Sequence, residues 1–276
     1  MSFSVRAATV RHGDTLALDD VTVVVEPGSV VVVVGGDGAG KTTLLRTMVG
    51  EVVLDNGTID APPAQAIGYL TARAGSWQAL TVRQNMDFVG GIYGLSGDQL
   101  KQRREELLSR ADLAEAGDRL ASQLSGGMRR KLGFCMAMVH EPALLVLDEP
   151  TTGVDPVSRV DIWRLVSEAA AAGAAVLMAT TYLDEAERAG SLLVLDGGRT
   201  LAHGTLEQVR AALHGTITED AVPHRTPWAW RRGRRHHEYW PSGEVIPASA
   251  VAIDPDLEDV VLALSLFRRA EVGADR

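Results

Sequence analysis

Apolar positions in this chain fall in short blocks, and the blocks alternate with helical patterns. Residues 21–25 and Val30–Val34 are two β-branched runs separated by Glu26-Pro27-Gly28-Ser29, which predicts strand, turn, strand. The second run ends at Gly35 and opens into a glycine-rich stretch, after which residues 41–49 read as a helix. Residues 98–116 combine strong helix formers with mixed charge, and Ser96 or Asp98 is placed to cap them. A turn at Gly117-Asp118 follows, then a helix over about 128–139 that Glu141-Pro142 stops. Residues 143–147 are wholly apolar, the pattern of a strand covered on both faces of a parallel sheet. Asp155-Pro156 gives a cap and first-turn proline in the preferred order, and Gly173 ends that helix. A buried strand over 176–179, a helix start at 184–188, and a strand over 192–195 turning at Asp196-Gly197-Gly198-Arg199 complete the pattern. Strands alternating with helices predict an α/β domain to about residue 210. Beyond it, 215–253 read as loops and short strands and 255–269 as a helix, with no internal repeat.

Composition narrows the class. With 276 residues, 46% hydrophobic and 23% charged, the chain can bury a real core. No apolar run reaches the roughly 18–20 residues of a membrane helix, and the first residues lack a secretory core, so a cytosolic protein is expected. The single cysteine, Cys135, excludes an internal disulfide framework and a Cys-rich metal site. A net charge of −9 argues against nucleic acid as a partner. Residues 225–240 run against that balance, with five Arg against one Glu and three Trp. They read as a hairpin of a small C-terminal unit, with contact to acidic lipid or a membrane subunit as the alternative. Cys135, Met136, Met138 and Trp163 are expected to pack, and Arg103-Arg104-Glu105-Glu106 to form a solvated helix face.

Two motifs carry chemistry. Gly35-Gly36-Asp37-Gly38-Ala39-Gly40-Lys41-Thr42, with Thr43 behind it, fits a phosphate-binding loop between strand and helix. Its glycines let backbone N–H groups surround phosphates, Lys41 reaches the β- and γ-phosphates, and the Thr42 hydroxyl suits Mg²⁺. Leu144-Leu145-Val146-Leu147-Asp148-Glu149 ends a buried strand in two acids. Asp148 is placed to hold Mg²⁺ and Glu149 to act as general base on water.

With Leu124-Ser125-Gly126-Gly127-Met128 between them, these motifs resemble the ATPase domain of ABC transporters, most nearly the drug- and antibiotic-export group. The resemblance covers about residues 3–210 and implies a P-loop core with an antiparallel β edge and an inserted helical subdomain at about 73–140. A small α+β extension follows from about 211. It implies ATP and Mg²⁺ as ligands, a separate transmembrane permease, and a place on the cytoplasmic face of the membrane. It also implies that Ser125, Gly126 and Gly127 face the γ-phosphate of ATP held by a second ATPase subunit. Gly153-Val154-Asp155-Pro156 and Leu257-Glu258-Asp259-Val260 match further family segments.

The chain departs from the family at four points. His12 stands where an aromatic stacks on adenine, and an imidazole offers less area. Ala72 stands where a Gln touches Mg²⁺ or the attacking water, and Gln78 is too far along to replace it. Thr181 stands where a His contacts the γ-phosphate, and Asp37 replaces an Asn. The losses at Ala72 and Thr181 predict an own site that binds ATP and turns over slowly. The retained Ser125-Gly126-Gly127 then completes the competent site of a different partner ATPase. A regulatory module without turnover is the alternative. An ABC protein of ribosomes or DNA is disfavoured, because those pair two ATPase domains or insert a coiled coil.

Overall fold

The computed structural model describes residues 2–73 and 75–274. The strands are β1 (Phe3–His12), β2 (Thr15–Val25), β3 (Val30–Val34), β4 (Asn56–Asp60), β5 (Ile67–Leu70), β6 (Leu144–Asp148), β7 (Ala175–Thr180), β8 (Ser191–Asp196) and β9 (Arg199–Gly204). The helices among them are α1 (Lys41–Met48), α2 (Val82–Ile92), α3 (Gly97–Arg110), α4 (Gly126–Met138), α5 (Pro156–Ala171) and α6 (Leu183–Ala186). A short helix α7 (Leu206–Ala211) leads into β10 (Gly215–Asp220), β11 (Ala229–Arg232), β12 (Arg235–Pro241), β13 (Val251–Ala252) and a last helix α8 (Leu257–Ala274).

The centre is a six-stranded sheet in the order β5-β6-β7-β3-β8-β9. Its first five strands run parallel and β9 closes the edge antiparallel. The unbroken apolar blocks become its inner strands because both faces are covered. Alternation within them divides two cores. Val31 and Val33 of β3, with Leu144 and Val146 of β6, pack with α1 and with β1 and β2. Val32 and Val34, with Leu145 and Leu147, pack under α4 and α5 instead. A three-stranded antiparallel sheet, β2-β1-β4, covers the α1 side. Helices α2, α3 and α4 form a separate layer between β5 and β6 in the sequence. Cys135, Met136, Met138 and Trp163 are buried in the second core.

Two sequence expectations need correction. The helix expected over 98–116 ends at Arg110, because Asp112 takes a positive φ of 55° and a 3-10 turn, Ala114–Ala116, follows. Ser96 is its N-cap residue but makes no side-chain cap bond. The Arg103–Arg104 stretch is also not a solvated face, since both side chains are only 14% exposed. Arg103 donates to the carbonyl of Met138 at 3.1 Å, and Arg104 grips both oxygens of Asp87 at 2.6 and 2.7 Å. The helix packs through this face onto α2 and α4, so the stems are covered and the guanidiniums find a carboxylate and a helix C-terminus.

After β9 the chain builds a four-stranded sheet, β11-β12-β10-β13, backed by α8. Residues 229–241 form its hairpin, with Arg232 opposite Arg235 and Gly233 at φ 61°. Arg232 is paired with Asp256 and Glu258, Arg225 with Glu238 and Glu244, and Arg235 with Glu219. Most of the positive charge in this segment is thereby neutralised within the fold. Leu257 and Val260 of α8 reach back into the main core.

Candidate nucleotide site

The site is assembled at the carboxyl ends of β3 and β6, next to each other but for β7. Gly40 is the N-cap of α1 at φ 101°, a backbone that side chains with a Cβ rarely adopt. A Cβ there would lie 2.6 Å from the carbonyl oxygen of Ala17 and 2.9 Å from the Leu18 side chain. The loop therefore passes directly against β2. Lys41, 6% exposed, folds back to donate to the carbonyls of Gly35 and Gly36 at 2.8 and 3.1 Å. Its ammonium lies 3.9 Å from Glu149. The Thr42 hydroxyl donates to Asp148 at 3.2 Å, joining the loop to the end of β6.

Asp148 is buried, and burial pushes its carboxyl up; the Thr42 hydrogen bond opposes this and the neighbouring Glu149 adds to it. Glu149 takes a left-handed φ of 49°, its N–H donates to the carbonyl of Ala179 at 3.0 Å, and it accepts from the Thr152 hydroxyl at 3.0 Å. A hydroxyl beside a carboxylate is a set of hard oxygen donors, which fits Mg²⁺ held jointly with phosphates.

A cleft of about 380 Å³ runs along the loop, walled by Asp37 to Thr43, Glu149, Gly197 and the start of β2 at Thr15, Leu16 and Ala17. Lys41, Thr42, Asp148 and Glu149 thus come together as the sequence suggested. His12 does not line this cleft; it is exposed at the end of β1, opposite Thr15. Ser125, Gly126 and Gly127 also lie outside it. Ser125 caps α4 by accepting from the N–H of Met128 at 3.2 Å, and Gly127 leaves no room for a Cβ beside Ser158. Ala72 and Thr181 are exposed, and so is Gln78.

Three contributors were not legible from the motifs. Arg130 of α4 donates to the carbonyls of Thr71 (at 3.2 Å) and Ala72, tying the segment after β5 to the helix. Burial lowers its guanidinium, while Glu149 and Asp148 push it back up. The Gly197-Gly198 turn is the second, since the N–H of Gly198 donates to the carbonyl of Ala39 at 3.1 Å. Arg268 of α8 reaches the other side of that turn, 3.4 Å from the carbonyl of Gly197 and 3.7 Å from Asp196. The third is Glu185, treated below. Each depends on a contact distant in sequence, so no local signal marks it.

Comparison with known proteins agrees with this geometry. The family described as ABC transporter matches residues 18–152. The chain is 38% identical over 236 residues to the daunorubicin resistance ATP-binding protein DrrA2 of Streptomyces coeruleorubidus, covering 81% of this chain and 73% of that one. It is 37% identical over 225 residues to DrrA3 of the same organism, covering 78% and 71%. Among solved structures, an ATP-binding subunit of an ABC transporter superposes with a TM-score of 0.70 at 28% identity, over 76% of this chain and 92% of that one. The cbiO1 protein of Clostridium perfringens, part of an ABC transporter complex, gives 0.69 at 26% identity, over 76% and 90%. With a phosphate-loop sheet, a two-acid strand end and relatives of this similarity, the chain belongs to the ATP-binding proteins of ABC transporters.

Proposed function

We propose that this chain drives an exporter of drug-like compounds by binding and hydrolysing ATP against a separate transmembrane permease. The observation that carries the reading is the meeting of Lys41, Thr42, Asp148 and Glu149 beside one glycine-rich loop. Two relatives are daunorubicin resistance ATP-binding proteins, which supports export. Among the described residues no helix is long and apolar enough to cross a membrane, and the reading assigns the crossing to a permease. Exposed Trp77 and Phe88, in edge contact at 4.5 Å, and Ile92 one turn along α2 form an apolar patch suited to a protein contact. The chain would then sit peripherally on the cytoplasmic face.

In this reading Lys41 exchanges the carbonyls of Gly35 and Gly36 for the β- and γ-phosphates, and the loop N–H groups enclose them. Thr42 and Asp148 would hold Mg²⁺, which would supply charge neutralisation on the phosphates. Glu149 takes a proton from the attacking water as its oxygen bonds to the γ-phosphorus and ADP leaves. His12 stacks on the adenine from the tip of the β1–β2 hairpin. Ser125, Gly126 and Gly127 offer a helix N-terminus to ATP on a second ATPase subunit.

Ala72 brings only a methyl, and Thr181 no imidazole, to this chain's own site. One missing transition-state donor typically costs about 10²–10³ in rate. Those losses fall on its own site alone, whereas Ser125 to Gly127 serve the other, so the second ATPase differs from this chain. ATP hydrolysis by the copurified complex, with and without Glu149→Gln here, tests the proposal. Turnover should largely survive; its collapse would make Glu149 the principal base and refute the asymmetric pair.

A further inference from the structure

Glu149 holds a backbone conformation that a glutamate rarely takes, at φ 49°. Such strain persists only where surrounding structure over-determines it. The groups that do so here converge on a residue that no motif names. Glu185, at the start of α6, is 2% exposed. One of its oxygens accepts from the Thr151 hydroxyl at 2.8 Å and from the Thr180 hydroxyl at 2.9 Å. Both threonines are fully buried.

These bonds close a ring. Thr151 is two residues beyond Glu149, and Thr180 directly follows Ala179, whose carbonyl accepts from the Glu149 N–H at 3.0 Å. The Thr180 hydroxyl also accepts from the N–H of Tyr182 at 3.1 Å, so the segment carrying Thr181 hangs from the same carboxylate. Among the described residues the second oxygen of Glu185 has no hydrogen bond, and the Arg159 guanidinium stands 3.8 Å away. A buried carboxylate left half-satisfied is a poor source of stability. Its value lies in what it fixes.

We propose that Glu185 is a positioning residue for Glu149 and for the 180–182 segment, acting through the hydroxyls of Thr151 and Thr180. The inference rests on the reading of Glu149 as the base of this chain's own site. Glu185 is buried and does not line the cleft along the loop. It sets the direction of the Glu149 carboxylate, so its loss falls on the chemical step and not on ATP affinity. Glutamine at 185 can still accept both hydroxyl bonds through its one amide oxygen, and alanine can accept neither.

The test uses the full chain in excess over ATP, with single-turnover hydrolysis and ATP affinity measured separately, and hydrogen exchange followed over residues 149–152 and 180–182. Glu185→Ala should slow the single turnover 10- to 100-fold, leave ATP affinity within twofold, and speed exchange in both segments. Glu185→Gln should stay within threefold of the parent. Thr151→Val, which removes one bond with little change of volume, should give a smaller loss that adds nothing to Glu185→Ala. Equal damage from Gln and Ala, an unchanged rate, or a loss confined to affinity would overturn the proposal. If the parent chain shows no hydrolysis sensitive to Glu149→Gln, the reading of its own site fails, and exchange alone decides whether Glu185 holds the two segments.

Discussion

Replacing Gly40 with alanine tests how tightly the phosphate loop is clamped against the outer sheet. Two costs add at this position. An L-residue at φ 101° carries left-handed strain of about 1–2 kcal/mol. The new Cβ would also stand 2.6 Å from a backbone carbonyl, that of Ala17, which cannot rotate away. Forcing an extra carbon into a packed site typically costs about 1–3 kcal/mol more. The sum is about 2–5 kcal/mol, enough to move the loop or to lower stability outright. Gly38 supplies the control, because it has positive φ, 76°, but nothing within 4 Å of its Cβ. Gly38→Ala should therefore lose only the strain. Urea midpoints and binding of a fluorescent ATP analogue would be compared in the two variants. Gly40→Ala should fall well below Gly38→Ala in both. Equal effects would show that the contact with β2 does not constrain the loop and would refute the reasoning.

Further expectations follow from the same site. Burial raises the Asp148 carboxyl, so the folded state binds its proton more tightly than the unfolded state, and its contribution to stability is lost as pH rises through the raised value. Asp148→Asn should accordingly raise the urea midpoint at pH 7, with the gain fading as pH falls through the raised value and gone below about pH 4, where both states carry the proton; a lower midpoint at pH 7 contradicts this. Ala72→Gln combined with Thr181→His should raise hydrolysis at this chain's own site at least tenfold in single-turnover assays, and an unchanged rate would mean those positions do not limit it. Cys135 is buried, with its thiol pushed up to about 12, so labelling by a thiol reagent at pH 8 should proceed only at the rate of unfolding. Rapid labelling of the folded chain would place the thiol at the surface.

The parts of this molecule that local chemistry dictates were readable in advance. Val30–Val34 and the apolar residues before Asp148 could only be strands covered on both faces, and the glycine loop between strand and helix followed from them. Asp155 caps α5 as expected, accepting from the N–H groups of Val157 and Ser158. β1 gave no such signal, because its register shifts three times against β2 and Ala7 breaks the alternation at φ 49°. Helix α2 was also unseen. It carries two glycines, although the Thr81–Gln84 capping box that starts it was a usable sign. Arg103 and Arg104 look solvated in one dimension, and only the packing of α3 on its neighbours reveals otherwise. The same holds for the site: the two motifs name the groups gathered at the glycine-rich loop, while Glu185 and Arg130 make their contacts with partners elsewhere in the chain.

The Gly197-Gly198 turn makes the last helix a neighbour of the loop near the beginning of the chain. On one side it bonds the loop at Ala39, and on the other it receives Arg268. A chain cut after α7 would keep every strand of the central sheet, the glycine-rich loop, Asp148, Glu149 and Ser125 to Gly127. It would also lose the strut behind the turn, together with the core contacts of Leu257 and Val260. The C-terminal unit is thus tied to the glycine-rich loop: whatever grips that small sheet has a path through Arg268 and the Gly197-Gly198 turn to Ala39.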